Sequence, residues 1–322
     1  GDVYKRQVLE GYPLERPMGK PGDIDLDFAT SFPKRDSVFP ALVPEAIPEF
    51  KRDLYEKYHL KLALSYQALF AAPSDVLFGE DYAAAGFFLF EVKWDPVNPG
   101  EDYQGGIVAA VADVHPYGSA ADPALTFAQI GSMIPADTFY IEVNWAVTNL
   151  FWEQWLRKDL LVFRVGNLQA MNVLDFFRYA DFRTSFSLNG LGFPLTSIPF
   201  GPPGLGLAVK WWDEKRGGLY VTGAANDINS EVDELDWSTP FEAGEVFAGI
   251  EVGHNWKRMG ESGGGELDHV HLLVFYADAP SRKTFPSESG WGFKIAGFNG
   301  RCRSRPRRRS QTGGVMAGEN GQ

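Results

Sequence analysis

The chain has 322 residues, 44% of them hydrophobic and 14% aromatic, with 35 glycines, one cysteine and a net charge of −12. That acidity argues against nucleic acid as a partner. No apolar run reaches 18 residues, which excludes a transmembrane helix but not a transmembrane β-barrel, whose apolar residues are diluted by every second polar one.

Gly1 to Gln7 reads Gly-Asp-Val-Tyr-Lys-Arg-Gln, a stretch that resembles translated sequencing-adapter sequence. We therefore set residues 1–7 aside and expect any export signal upstream of them. Residues 8–58 form an irregular N-terminal segment rich in Pro, Gly and charge. It closes on a predicted short helix, Glu45 to Tyr58, with Pro48 in the first turn, where a missing N–H costs least.

From His59 to Phe70 the chain alternates for about a dozen residues, placing Leu60, Leu62, Leu64, Tyr66, Ala68 and Phe70 on one face and Lys61, Ser65 and Gln67 on the other. Period two marks a strand with different surroundings on its two sides. Its length matches the roughly 9–11 residues that a tilted strand needs to cross a bilayer. A second strand is predicted at about 85–94, with Phe88, Phe90, Val92 and Trp94 opposite Glu91 and Lys93. A third spans about 105–115. Residues 124–145 are ambiguous between a short strand and a loop.

Residues 149–166 read as a hairpin around Arg157-Lys158-Asp159, with Leu161, Phe163 and Val165 on one face of the second arm and Arg164 on the other. The stretch 167–203, with Arg178, Arg183 and four prolines, is long and irregular, and a structureless stretch of that length is expected to be either functional or misassigned. Strand pairs resume at 204–212 and 218–226, then at 244–257 and 267–278, and the last strand spans 290–298. The partial barrel is thus predicted over 59–299. The basic run after it, in residues 300–322, holds six arginines and Cys302 and reads as a non-native tail. Without that tail, residues 1–300 carry a net charge of −17, and residues 1–301 have no thiol for a disulfide or a thiolate metal site.

About ten strands in hairpin order with no helical crossovers predict an all-β, antiparallel, up-and-down topology. Alternation alone does not say whether the apolar face meets a core or lipid. Isolated charges on the polar face suit a water-filled lumen, and aromatics near strand ends (Phe70, Trp94, Trp152, Trp211, Trp256, Tyr276, Trp291, Phe298) suit the girdles of a membrane barrel. The alternative is a soluble carbohydrate-binding β-sandwich or jelly roll, in which the same aromatics form an ordinary core.

The stretch Tyr58 to Phe70 resembles the first strand of the carbohydrate-selective porin (OprB) family. So do Thr148 to Leu156 (Thr-Asn-Leu-Phe-Trp-Glu-Gln-Trp-Leu), Gly204-Leu205-Gly206, Leu219 to Asp227, and the final piece from Asp268-His269-Val270-His271-Leu272 to Trp291-Gly292. The resemblance covers roughly residues 45–298. It implies an outer-membrane barrel of 16 strands, of which about ten are present here, with sugars diffusing passively through it into the periplasm. It also implies no enzymatic activity and no cofactor; outer-membrane lipid would surround it, and the oligomeric state stays open. This chain departs from the family in its third strand, where Val108, Ala110, Ala112 and Val114 stand in a region that tends to carry charged and histidine residues.

Other chemistry is set aside. Asp233, Glu234 and Asp236 near Asp227 lack the spacing and central glycine of a calcium loop. His269 and His271 share a strand face without a third metal ligand at recognisable spacing. Gly263-Gly264-Gly265 lacks the Lys-Ser/Thr of a phosphate loop. The predicted pore-lining residues are Arg164, Arg178, Arg183, Glu91, Lys93, Lys61, His269 and His271, with the three arginines placed at the constriction.

Overall fold

The computed structural model describes residues 46–118, 129–131, 143–157, 160–175, 201–213, 218–230, 235, 237–238, 244–259, 265–278 and 290–298. Helix α1 (Ala46–Tyr58) leads into ten strands: β1 (Leu60–Ala71), β2 (Ala83–Val97), β3 (Gly105–Pro116), β4 (Val143–Arg157), β5 (Leu161–Leu168), β6 (Gly204–Asp213), β7 (Leu219–Asp227), β8 (Val246–Met259), β9 (Gly265–Ala277) and β10 (Gly290–Phe298). They form one sheet in which each strand is hydrogen-bonded to its sequence neighbour, and every pairing is antiparallel. Among the described residues β1 and β10 do not pair with each other, so the sheet is not closed. No described helix is long and apolar enough to cross a membrane.

The connections divide by length. At one end the strands are joined through 98–104, 158–160, 214–218 and 260–264; at the other through 72–82, 117–142, 169–203, 228–245 and 278–289. Short turns on one rim and long loops on the other are the asymmetry of outer-membrane barrels.

The two faces of the sheet are inverted relative to a water-soluble protein. Leu64 is 67% exposed and Ile250 58%, and Trp94, Trp145, Val165, Leu207, Val252 and Leu272 share that face. The opposite face buries Lys93, Glu153, Arg164, Lys210, Thr222, Glu251 and His271. Register carries this parity from strand to strand: Leu64 lies opposite Phe90, which lies opposite Val111, while Glu153 lies opposite Arg164, which lies opposite Ala208. Leu60, Leu62, Leu64 and Tyr66 thus lie together on the exposed side, with Lys61 and Gln67 on the other. No second sheet packs on the leucines among the described residues.

Aromatics on the exposed face gather toward both rims. Trp94, Trp152 and Trp211 lie toward the short turns, and Phe70, Tyr82, Tyr117 and Trp145 toward the long loops. Near the long-loop rim Tyr66 hydrogen-bonds the Tyr117 hydroxyl and donates to His115 Nε2 at 3.0 Å, and His115 Nδ1 donates to Asp113 Oδ2 at 2.7 Å. Aromatic rings with a polar tip belong at such a boundary.

Strand β4 is longer than expected. It begins at Val143, inside the stretch that reads ambiguously in sequence, and holds a bulge: Ala110 pairs with Asn149 but Val111 with Val147. The extra residue, Thr148, donates its hydroxyl to the Ala110 carbonyl at 3.4 Å. Before it the odd residues Trp145 and Val147 face the exposed side; after it the odd residues Phe151 and Glu153 are buried. A one-residue insertion switches the parity of everything that follows.

Candidate functional site

The buried face carries two polar clusters. The first spans β1 to β5. Glu153 on β4 accepts from Lys93 Nζ on β2 at 2.8 Å and from Trp155 Nε1 at 3.1 Å through Oε1. Through Oε2 it accepts from Arg164 Nε at 2.8 Å and Nη2 at 2.7 Å. The Arg164 guanidinium also lies over the Phe151 ring, 5.0 Å from its centre. Lys61 Nζ stands 3.6 Å from Asp95 Oδ2 and 5.0 Å from the Tyr55 ring centre of α1. The buried charges of Lys93, Glu153 and Arg164 are paired and hydrogen-bonded, as burial demands, whereas Asp95 is paired with Lys61 but among the described residues has no hydrogen bond to either carboxylate oxygen.

The Lys93–Glu153 contact crosses a whole strand, because β3 lies between their strands. Lys93 is opposite Val108, and Glu153 is opposite Gly106. The small inward residues of β3 make this possible. A side chain at Gly106 would start 2.5 Å from both Asp95 Oδ1 and the Trp94 carbonyl.

The second cluster joins the wall to a segment folded against it. After β5 the chain makes a single 3-10 turn, η1 (Ala170–Asn172), and runs to Asp175. Leu174 enters a hydrophobic cluster with Ala224, Phe247, Leu273 and Phe275. Gly249 leaves the space: a Cβ there would lie 2.8 Å from Leu174 Cδ1. The Ala170 N–H donates to Asn226 Oδ1 at 3.2 Å, and Asn172 Nδ2 donates to Asn149 Oδ1 at 3.4 Å.

The Asp175 N–H donates to Glu251 Oε2 at 2.5 Å, and His271 Nε2 donates to Asp175 Oδ1 at 3.1 Å. Asp175 has a φ of 55°, a conformation that costs a non-glycine residue about 1–3 kcal/mol and persists where surrounding contacts over-determine it. Tyr220 donates to Glu251 Oε1 at 2.7 Å, and Lys210 Nζ lies 4.2 Å from the Tyr220 ring centre. The Tyr220 ring lies over Gly253, where a notional Cβ would overlap it.

Of the residues predicted from sequence, Lys61, Glu91, Lys93, Arg164 and His271 all occupy the face opposite the leucines. Lys93 and Arg164 meet on Glu153; His271 belongs to the other cluster. His269 pairs in register with Asn255 and Phe298, and its side chain lies outside the described residues. Arg178 and Arg183 also lie outside them, as do Asp233, Glu234 and Asp236. Sequence reasoning did not select Glu153, Asp175 or Tyr220. Glu153 had a partial signal, since folding the predicted hairpin about Arg157-Lys158-Asp159 sets it opposite Phe163, one residue short of its actual partner Arg164. Asp175 had none, because nothing periodic places a loop residue against a particular strand. Among the described residues no group of three or more His, Cys, Asp or Glu is arranged to hold a metal ion.

No protein-family model matches the chain, and no curated protein sequence matches it either. Among solved structures, the high-pH structure of Pseudomonas putida OprB is similar, with a TM-score of 0.53 and 14% sequence identity over 71% of this chain and 55% of that one. The chain thus spans about half the length of the structure it matches. At this identity the likeness is one of fold: the matched structure shares the antiparallel up-and-down sheet described above, which is not closed among the described residues.

Proposed function

We propose that this chain forms the wall of an outer-membrane pore through which sugars diffuse passively into the periplasm. The observation that carries the reading is the inversion of the sheet, with apolar side chains exposed on one face and paired charges buried on the other. An apolar face of this extent suits lipid, and a face of charges, amides and hydroxyls suits a wet lumen. The similarity to OprB supports the same reading.

The chemistry needed is modest. Sugars offer hydroxyls that both donate and accept; carboxylates accept from them, and guanidinium and ammonium groups donate to them. On the inner side of β4 the partly buried Trp155 offers a flat surface to sugar rings. The segment Gln169–Asp175 narrows the lumen from the side of the long loops, and Arg178 and Arg183 follow it in sequence as constriction candidates together with Arg164. Selectivity then comes from width and from the charges at the wall. No step requires a nucleophile, a metal or a cofactor.

Reconstituted in a planar bilayer, the protein is expected to give stepwise conductance, and in liposomes to admit mono- and disaccharides at rates that fall with size. A protein that stays monodisperse in buffer without detergent and gives neither signal would overturn the reading.

A further inference from the structure

We infer that Glu153 is a positioning residue that sets the charge preference of the pore by holding the Lys93 ammonium and the Arg164 guanidinium flat against its wall. The inference rests on the pore reading above and concerns the same inner face.

The geometry is that of a clamp. Both carboxylate oxygens are engaged, Oε1 by Lys93 and the Trp155 indole and Oε2 by two nitrogens of Arg164. The three charged side chains come from three strands, β2, β4 and β5, and all are buried. Arg164 reaches Glu153 as its direct cross-strand partner. Lys93 reaches it over β3, whose inward positions Gly106, Val108 and Ala110 are too short to block the way. The small residues that set this third strand apart therefore have a role: they open a channel along the wall through which a lysine and a carboxylate meet.

Two cations drawn to one carboxylate present a different surface from two free cations. Both heads lie along the wall instead of extending into the lumen, and one of the two charges is cancelled. Replacing Glu153 by glutamine keeps the shape and removes the charge. Lys93 and Arg164 then gain freedom to extend, and anions are favoured.

In a potassium chloride gradient across a planar bilayer, the chloride-over-potassium permeability ratio of Glu153→Gln is expected to rise at least about threefold, the effect of one unit charge about 7 Å from the ion path in water. Glu153→Asp, which keeps the charge, is expected to stay near the parent. A second readout needs no variant. In the parent, Lys93 should react with a membrane-impermeant amine reagent at least about tenfold more slowly than the exposed Lys57 of α1, because its ammonium is tied to a carboxylate.

An unchanged ratio in conducting Glu153→Gln, an equal shift in Glu153→Asp, or a Lys93 as reactive as Lys57 in the parent would each overturn the assignment while leaving the pore intact. A parent that never conducts would overturn the pore reading itself, and this one with it.

Discussion

Single residues on the inner wall are legible in sequence as a parity and illegible as partners. Alternation places Lys61, Lys93 and Arg164 on one face, because each sits one residue from an apolar neighbour. It does not reveal that Lys93 skips a strand to find Glu153, since that depends on three small residues elsewhere in the chain. Tyr220 shows the same limit. Its hydroxyl reaches Glu251, and its ring lies over Gly253, yet nothing near Tyr220 in sequence announces either contact. A hydrogen bond to a buried carboxylate contributes about 1.5–3 kcal/mol, so Tyr220→Phe is expected to lower stability by about that amount in urea unfolding of the detergent-solubilised protein. Gly253→Val overpacks the same spot and should cost about 1–3 kcal/mol. The double variant should lose less than the sum of the two, because both act on one ring.

At the scale of elements, nine of the ten strands are recovered from periodicity to within a few residues, and the exception has a physical cause. Thr148 inserts one residue into β4, so the alternation from Trp145 to Val147 falls out of step with that from Asn149 to Trp155, and a further register shift lies between Val143 and Ala146. A reading by parity sees a strand and a loop where there is one bent strand. The segment Gln169–Asp175 is hidden for another reason: it has no period, and its place is fixed by contacts with four strands. Leu174 is its anchor, and Gly249 is the socket. Gly249→Leu fills the socket and should detach the segment from the wall without disturbing the strand ladder. The expected outcome is a larger single-channel conductance with unchanged heat-modifiable mobility on gels. Unchanged conductance would mean that the segment does not narrow the pore.

Across the whole molecule, one face of the sheet exposes apolar side chains, and the other buries paired charges beside hydrophobic clusters around Phe87, Phe151 and Leu273. The hydrophobic effect would not hold such a sheet in water, because burial of Lys93, Glu153, Lys210 and Glu251 gains nothing that exposure of Leu64, Leu207 and Ile250 does not forfeit. In a bilayer the exposed residues are already in an apolar solvent, and the strand ladder satisfies the backbone. Val252, near the middle of β8 on the exposed face, makes this measurable: Val252→Arg should destabilise the bilayer-embedded protein by about 2–4 kcal/mol, whereas on a solvated surface the same change would be close to neutral.

The most direct test of the inverted sheet is to place nitroxide spin labels one at a time at Leu64, Leu207, Val252 and Leu272, and at Thr222 on the opposite face, in protein reconstituted into liposomes. The account predicts that the first four collide readily with lipid-soluble oxygen and poorly with a water-soluble nickel chelate, in contrast to the label at Thr222. Labels at the four apolar positions that meet the nickel chelate as freely as those on a water-soluble surface would contradict it.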